Sequence, residues 1–223
     1  MNRHKKKKST KIASGYTNSK QRKKNKELCK RYPFLIPRSV FTDQPVWMHK
    51  AYDWTLAEDF KDGWWKAFGL QMCEEIREDC IKYNYLNQLR LEQIKSKFGQ
   101  LRCYTGPIPK DSQINNIIED YSRLSENICE YCGRPDVNMI NWGGWLYAIC
   151  EDCFNRINKR SLKRGYIKEL PSYSSYICHG DDGKMSEERR VTICKGDGTT
   201  EPMTYDLHDK AEQIRARWRA KHE

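Results

Sequence analysis

Four cysteines form two C-x2-C pairs separated by 17 residues, and this spacing strongly constrains the fold of the surrounding chain. Two tight turns with such spacing can place four thiolates tetrahedrally around one zinc ion. The chain between the pairs can supply two strands that turn at Gly143 and Gly144. The sequence therefore predicts a zinc ribbon or treble-clef-like knuckle that binds one structural Zn²⁺ through Cys129, Cys132, Cys150 and Cys153.

Four sulfur ligands leave no open position on the metal, which favours a structural site over a catalytic one. A catalytic zinc ion keeps one position for water, usually beside His or carboxylate ligands. Nucleobase deaminases are excluded because they need an H-x-E motif, which none of the five histidines provides. HNH-type nucleases need a histidine base between the cysteine pairs, where this chain has none. We expect no enzyme, and a degenerate HNH-like nuclease is only a lesser alternative.

Positive charge is concentrated at the N-terminus. Residues 1–26 contain eleven basic side chains and no acidic one, so the other residues carry 41 minus 11, or 30, basic groups against 30 acidic groups. Because this segment also has almost no apolar side chains, we expect a disordered basic tail. Such a tail suits sequence-independent contact with nucleic-acid phosphates. Its contact residues would include Lys5, Lys6, Lys7, Lys8, Arg22, Lys23 and Lys24.

Residues 27–125 are predicted to form a small α+β core that begins with an irregular lead-in. Pro33, Pro37 and Pro45 exclude a long helix in this first part. We expect the lead-in to pack on the core through aromatic and aliphatic anchors. These are Phe34, Leu35, Phe41 and Trp47.

The rest of the core is predicted to be a helix, a hairpin and a second helix. Apolar side chains recur at every fourth position within residues 56–83, which is typical of a helix. Two short strands then turn at Phe98 and Gly99, and a helix follows over residues 112–124 with Ser112 as its N-cap. The stripe of the first helix contains Trp64, Phe68, Met72, Ile76 and Cys80.

Residues 126–170 contain the cysteine array and a basic stretch that is predicted to be helical up to Gly165. Helical spacing places most of its cations on one broad face, which suits contact with phosphate. The alternative is a solvated surface helix. The basic residues are Arg156, Lys159, Arg160, Lys163 and Arg164.

Residues 171–223 are predicted to be a small irregular or β region, with the β-like runs RVTIC and MTYDL, followed by a basic helix around Trp218. Four possible metal ligands here, Cys178, His179, Cys194 and His208, match no common spacing. We therefore favour buried thiols and surface histidines over a second metal site. The remaining cysteines are interpreted as core residues, namely Cys29, Cys73, Cys80 and Cys103.

Four stretches of the chain resemble a family of small bacteriophage and prophage proteins: DGWWKAFGLQMCEEI, QIKSKFGQLRCY, LSENICEYCGRP and GGWLYAICEDC. The shared features are a G-W helix, a K-x-K-F-G-x-L-R-x-Y hairpin and a C-x-x-C-G-x-P ribbon, and the match covers about residues 58–154. The resemblance implies a phage-type zinc-ribbon protein without an established biochemical activity. In many relatives the ribbon ends with a Cys followed by a His, and the His stands where this chain has Cys153. Either residue can bind zinc.

Two functions follow as hypotheses. The first is a nucleic-acid-associated protein that contacts DNA or RNA through its basic tail and helices. However, the stretch 111–153 contains eight acidic residues against two basic ones, which would repel a phosphate backbone. The second hypothesis is therefore a module that binds or inhibits a host or defence protein through this acidic face and the aromatic residues Trp142, Trp145 and Tyr147. Packing of these aromatics against the preceding helix is the alternative.

The sequence contains neither a run of about 18 apolar residues nor an export signal. We therefore expect no membrane partner. A paired C-x2-C array without an export signal favours a reducing compartment, and together with the phage resemblance this predicts the cytoplasm of a bacterial host cell.

Overall fold

The computed structural model describes residues 17–178, 188–194 and 200–222, with the backbone alone for 188–194 and 200–206. Within these residues, helices are combined with three antiparallel sheets of two strands each. This arrangement confirms the predicted α+β class. The predicted phosphate contacts Lys5, Lys6, Lys7 and Lys8 lie outside the described residues.

Helix α1, Ser19–Arg31, begins inside the segment for which the sequence predicts a disordered tail. The side chain of Asn18 caps its first turn. Asn25 is buried and donates hydrogen bonds through Nδ2 to the Tyr52 carbonyl and to Glu58 Oε1, each at 3.1 Å. The predicted tail boundary is therefore wrong, because polar contacts hold this helix on the core where apolar side chains are missing.

The lead-in after α1 is irregular, as predicted, and Phe34 and Leu35 are fully buried. Trp47 is half-buried against a neighbouring tyrosine ring. Phe41 is 94% exposed, so its predicted packing on the core is wrong. The cause is a hydrogen-bonded turn over residues 39–44, which carries Phe41 away from the core.

The main helix consists of α2, Asp62–Trp64, a π-helical turn at Trp65–Gly69, and α3, Leu70–Lys82. All five side chains of the predicted stripe are buried. A spacing of four residues drifts by about 40° per step around an α-helix. The wider π-helical turn offsets part of this drift, which keeps Trp64 and Phe68 on the side that faces the core.

The predicted hairpin is formed by β1, Leu91–Lys97, and β2, Gln100–Thr105, which pair antiparallel. Phe98 and Gly99 connect the strands with φ angles of 56° and 71°. Two consecutive positive φ angles are typical of the tight turns that join twisted strands. The turn predicted at this dipeptide is confirmed.

Helix α4, Ile114–Ser125, is the predicted second core helix, but Ser112 does not cap it. The N-cap position is Gln113, whose side chain makes no capping hydrogen bond. Instead, the Gln113 amide donates to Asp79 Oδ2 at 2.9 Å. A carboxylate from the neighbouring helix α3 thus accepts a hydrogen bond at the start of α4, where the sequence predicts a serine cap.

The ribbon contains β3, Met139–Trp142, and β4, Trp145–Ala148, which pair antiparallel through the two predicted glycines. Helix α5, Glu151–Lys163, follows directly. Gly165, with φ of 74°, lies just beyond its end, as predicted. The second cysteine pair is thereby fixed at the junction between a strand and a helix.

The C-terminal region contains a third hairpin and a helix. Strands β5, Glu188–Cys194, and β6, Thr200–Asp206, contain the two predicted β-like runs and pair antiparallel. Helix α6, His208–His222, then returns to the main hydrophobic core. Ala211 and Ile214 of this helix are buried in that core, together with Leu207 just before it.

The helical core and the ribbon meet at Gly63, where their backbones touch. The Gly63 amide donates to the Glu130 carbonyl at 2.8 Å, and Trp64 Nε1 donates to the Ile128 carbonyl at 2.8 Å. A Cβ atom on Gly63 would lie only 2.0 Å from the Cys129 carbonyl oxygen. Glycine is therefore required here, and the Gly63-Trp64 dipeptide joins the cysteine turn to the core.

Substitution of Gly63 by Ala should test this junction. We expect Gly63→Ala to lower the free energy of unfolding by about 3 kcal/mol, because two backbones must separate to admit the methyl group. Gly106→Ala is the matched control, since its Cβ would meet Glu92 Oε1 at an ordinary 3.5 Å. Urea denaturation measures both, and equal stability of the two variants would contradict the proposed role of Gly63.

Candidate functional site

The four predicted metal ligands come together in space. Their sulfur atoms all lie within 4.8 Å of one another, and Cys132 Sγ lies 3.6 Å from Cys150 Sγ. In a tetrahedral site with metal–sulfur distances of about 2.3 Å, neighbouring sulfurs are about 3.8 Å apart. The arrangement of Cys129, Cys132, Cys150 and Cys153 can therefore hold a metal ion.

The first pair of ligands lies on a turn that follows α4. The Gly133 amide donates to the Cys129 carbonyl at 2.9 Å, and the Cys129 amide donates to the Arg134 carbonyl at 2.8 Å. Gly133 has a φ of 85°, which only glycine adopts without strain. These bonds fix the turn and aim the thiols of Cys129 and Cys132 at one point.

The second pair of ligands lies at the start of α5. Cys150 is the N-cap and Cys153 is in the first turn, where free backbone amides favour negative charge. The Phe154 amide donates to the Cys150 carbonyl at 3.0 Å. The Glu130 amide donates to the Ala148 carbonyl at 2.9 Å, which ties β4 to the first turn and brings the two pairs together.

The four thiols differ in how readily they lose their protons, and only that of Cys129 is favoured as a thiolate. Hydrogen bonds from Cys132 and Cys150 hold the pKa of the Cys129 thiol well below its ordinary range. Hydrogen bonding to Cys129 raises the pKa of Cys132 to about 11, and burial raises the pKa of Cys153 to about 12. A metal ion must displace protons from the remaining thiols. Metal affinity should therefore fall as pH falls.

Two charged side chains lie against the cluster. Arg156 Nη2 donates to Cys153 Sγ at 3.0 Å. Glu130 has a fully buried side chain with Lys61 Nζ 3.4 Å from Oε2, and burial raises the pKa of this carboxyl group. Four thiolates around a divalent ion would carry a net double negative charge, which Arg156 partly offsets.

The second candidate metal group is only partly described. His179 and the side chain of Cys194 lie outside the described residues. Cys178 is half-buried, and His208 is exposed at the start of α6. Within the part of the chain that the structure describes, only the four-cysteine cluster gathers three or more metal-binding side chains. The expectation that no second site forms stays a prediction.

The basic face of α5 is exposed, and its cations line a shallow groove along the helix. Asp152 is the acidic residue of this groove, and Arg134 binds it at 2.8 Å. Four cations make no side-chain hydrogen bond or ion pair with any described residue. They are Lys159, Arg160, Lys163 and Arg164.

The other predicted phosphate contacts that are described lie on α1. Arg22 Nη1 donates to the Thr17 carbonyl at 2.7 Å, while Lys23 and Lys24 are exposed. These lysines line a different groove from the α5 cations, with Leu70 in its wall. The structure therefore separates the predicted contacts into two groups.

A deeper cleft of about 650 Å³ lies beside the first cysteine turn, between α5, α6 and the π-helical turn. Arg156 and Arg160 of α5 line it. The sequence does not indicate that α5 and α6 lie side by side, although the cations around Trp218 predict that α6 is basic. The basic lining residues outside the predicted set are Lys66, Arg217, Lys221 and His222.

Half of the acidic residues between positions 111 and 153 are bound by cations, four out of eight. Two of these cations come from α6, which is distant in sequence. The open acidic face expected from composition is therefore reduced, and so is its repulsion of phosphate. The ion pairs are Glu130 with Lys61, Asp120 with Lys210, Asp136 with Arg215 and Asp152 with Arg134.

The three aromatic residues predicted for a partner surface differ in exposure. Trp142 packs edge-on against Phe154 of α5, with ring centroids 5.1 Å apart, and Tyr147 is half-buried beside it. Trp145 is 68% exposed. Trp142 and Tyr147 thus belong to the ribbon core, which packs on the following helix rather than on the preceding one.

Comparison of the chain with family models, curated proteins and solved structures gave no match. The resemblance to phage proteins therefore stays a prediction. Among the described residues, no helix is both long enough and apolar enough to cross a membrane.

Removal of one ligand should empty the metal site. We expect the wild-type protein to contain about one metal equivalent, and Cys129→Ser or Cys150→Ser to contain far less, because each thiolate completes the tetrahedral shell. Cys178→Ser is the control, since this thiol lies outside the cluster. Metal analysis after dialysis measures the result. Full occupancy in Cys150→Ser would contradict the assignment.

Proposed function

We propose that this chain is a non-enzymatic, phage-type protein that binds one structural Zn²⁺ and associates with nucleic acid without reading its sequence. The observation that supports this proposal most directly is the row of exposed cations on α5 that have no partner among the described residues. Lysine and arginine in such a row neutralise phosphates and release counterions. Phosphate contacts of this kind carry no base information.

Zinc is the metal that we favour at the four-cysteine cluster. Soft thiolate ligands in a tetrahedral set select zinc over magnesium, calcium or manganese. The four ligands also complete the shell, which favours a structural role for the ion. Thiolates persist in a reducing compartment, so we place the protein in the cytoplasm of a bacterial host.

The charges of the described residues support the same function. Acidic side chains near the ribbon pair with Lys210 and Arg215 of α6 and with Arg134. Lys159, Arg160, Lys163 and Arg164 of α5 have no such partners in the part of the chain that the structure describes, and they lie on a helix whose first turn contains the ligand Cys153. The helix that carries these cations is therefore already positioned, while their side chains are free to reach phosphates.

A salt titration with variants of α5 tests this function. For duplex DNA, the logarithm of affinity falls with the logarithm of salt concentration, with a slope of about −0.9 per neutralised phosphate. We expect the double variant Lys159→Ala/Lys163→Ala to reduce the size of this slope by up to about 2. The control double variant is Lys82→Ala/Lys110→Ala, which removes the same charge from α3 and from the loop before α4.

The titration should use random duplex DNA and RNA, each with the full chain and with a variant that lacks residues 1–16. This deletion leaves α1 intact, which matters because Asn25 is buried. Weaker binding of the truncated protein would assign part of the affinity to the tail. If the full chain had no affinity for nucleic acid at low salt, the proposed function would be overturned. If the two double variants had equal salt slopes, α5 would be excluded as a phosphate-binding element.

A second candidate function, binding to a host or defence protein, is favoured by one apolar loop. Val40, Phe41 and Met48 are 77%, 94% and 70% exposed. The loop is held in shape by Arg90, which donates two hydrogen bonds to the Asp43 carboxylate at 2.7 and 3.0 Å. Aromatic and methionine side chains on a rigid loop are typical anchors of protein interfaces.

The apolar loop is tested by capture of host proteins from bacterial lysate. We expect Phe41→Ser to lose a protein that the wild type captures, while Tyr166→Ser, a change at another exposed aromatic, retains it. Identical capture by both variants would rule out the loop as the binding surface.

A further inference from the structure

The cleft beside the first cysteine turn combines positive charge from three elements. Lys66 comes from the π-helical turn, Arg156 and Arg160 come from α5, and Lys221 comes from α6. Asp62 is the one acidic residue among those that line the described cleft. The cations converge on a single concave site, which distinguishes it from the open groove along α5.

Arg217 forms part of the cleft wall, and its guanidinium group is already hydrogen-bonded. Its Nη2 donates to the Ala67 carbonyl at 3.1 Å and to Gln71 Oε1 at 2.6 Å. These bonds fix α6 against the π-helical turn and the start of α3. The remaining cations are therefore displayed by elements that are already locked in position.

The cleft also contains a flat aromatic surface. The rings of Trp218 and His222 are stacked, with centroids 4.1 Å apart and planes 11° from parallel. Arg134 lies over the Trp218 ring at 5.2 Å from its centroid. His222 is exposed, so the outer face of its ring, with Trp218 behind it, is a flat surface on which a nucleobase can stack.

We propose that this cleft binds one nucleotide of a single-stranded nucleic acid, with its base on the outer face of His222 and its phosphates on Lys66, Arg160 and Lys221. The cleft volume of about 650 Å³ lies in the range of small-ligand sites. In a duplex the bases are stacked inside the helix, so only an unpaired base can enter and stack on the ring pair. This inference rests on the proposed function and extends it to a preference for unpaired strands.

The preference is tested by binding of the full chain to oligo-dT, oligo-U and a duplex of equal length at one low salt concentration. We expect Lys221→Ala/His222→Ala to bind both single strands at least tenfold more weakly, because a phosphate contact and a stacking surface are lost. Binding to the duplex should change less than about twofold. Both residues are exposed in the last turn of α6, so the fold should tolerate their replacement.

Two further variants make the test specific. Arg219→Ala removes a charge from the same helix turn but not from the cleft, and it should bind all three probes within about twofold of wild type. Lys66→Ala removes a cleft cation from another element and should weaken single-strand binding selectively. A stronger effect with oligo-U than with oligo-dT would identify RNA as the ligand, and the reverse would identify DNA.

This inference would be overturned if the cleft variants bound single strands as tightly as the wild type does. It would also be overturned if they lost as much affinity for the duplex as for the single strands. In both cases the proposed association with nucleic acid would stand, because the wild type would still bind. Failure of the wild type to bind any of the three probes would overturn both.

Discussion

At Gly63 the backbone of the core helix lies against the backbone of the first cysteine turn, with space for a hydrogen atom but not for a methyl group. The Gly63 amide and the Trp64 indole bind carbonyls on either side of Cys129. The four-cysteine cluster is therefore continuous with the core through this contact. The first cysteine turn takes its position from this junction, and the backbone bond from Glu130 to Ala148 extends that link to the strand before α5.

Much of the fold can be predicted from local signals. The buried stripe of the main helix and the tight turns at Phe98-Gly99 and Gly143-Gly144 each depend on spacing or on positive φ angles within a few residues. The cysteine cluster is predictable for the same reason. Helix α1 and the exposure of Phe41 could not be predicted in this way. They depend on hydrogen bonds of Asn25 and of the turn over residues 39–44, which composition does not show.

The cleft could not be predicted, because its walls come from elements far apart in sequence. Helix α6 reaches the π-helical turn through Arg217 and neutralises acidic residues near the ribbon through Lys210 and Arg215. Composition predicts an acidic ribbon and a separate basic helix, whereas folding places the two in contact. Among the described residues, Lys159, Arg160, Lys163 and Arg164 of α5 have no partner, which is why we propose phosphate as the partner of this surface.

The central claim is that the four-cysteine cluster and the helical core form one cooperative unit through Gly63. Amide hydrogen exchange at Gly63, measured by NMR before and after chelation of the metal, tests it most directly. The account predicts that exchange at Gly63 accelerates together with exchange at Cys129, because both amides donate to carbonyls of the junction or the cysteine turn. Fast exchange at Cys129 with unchanged protection at Gly63 would contradict it.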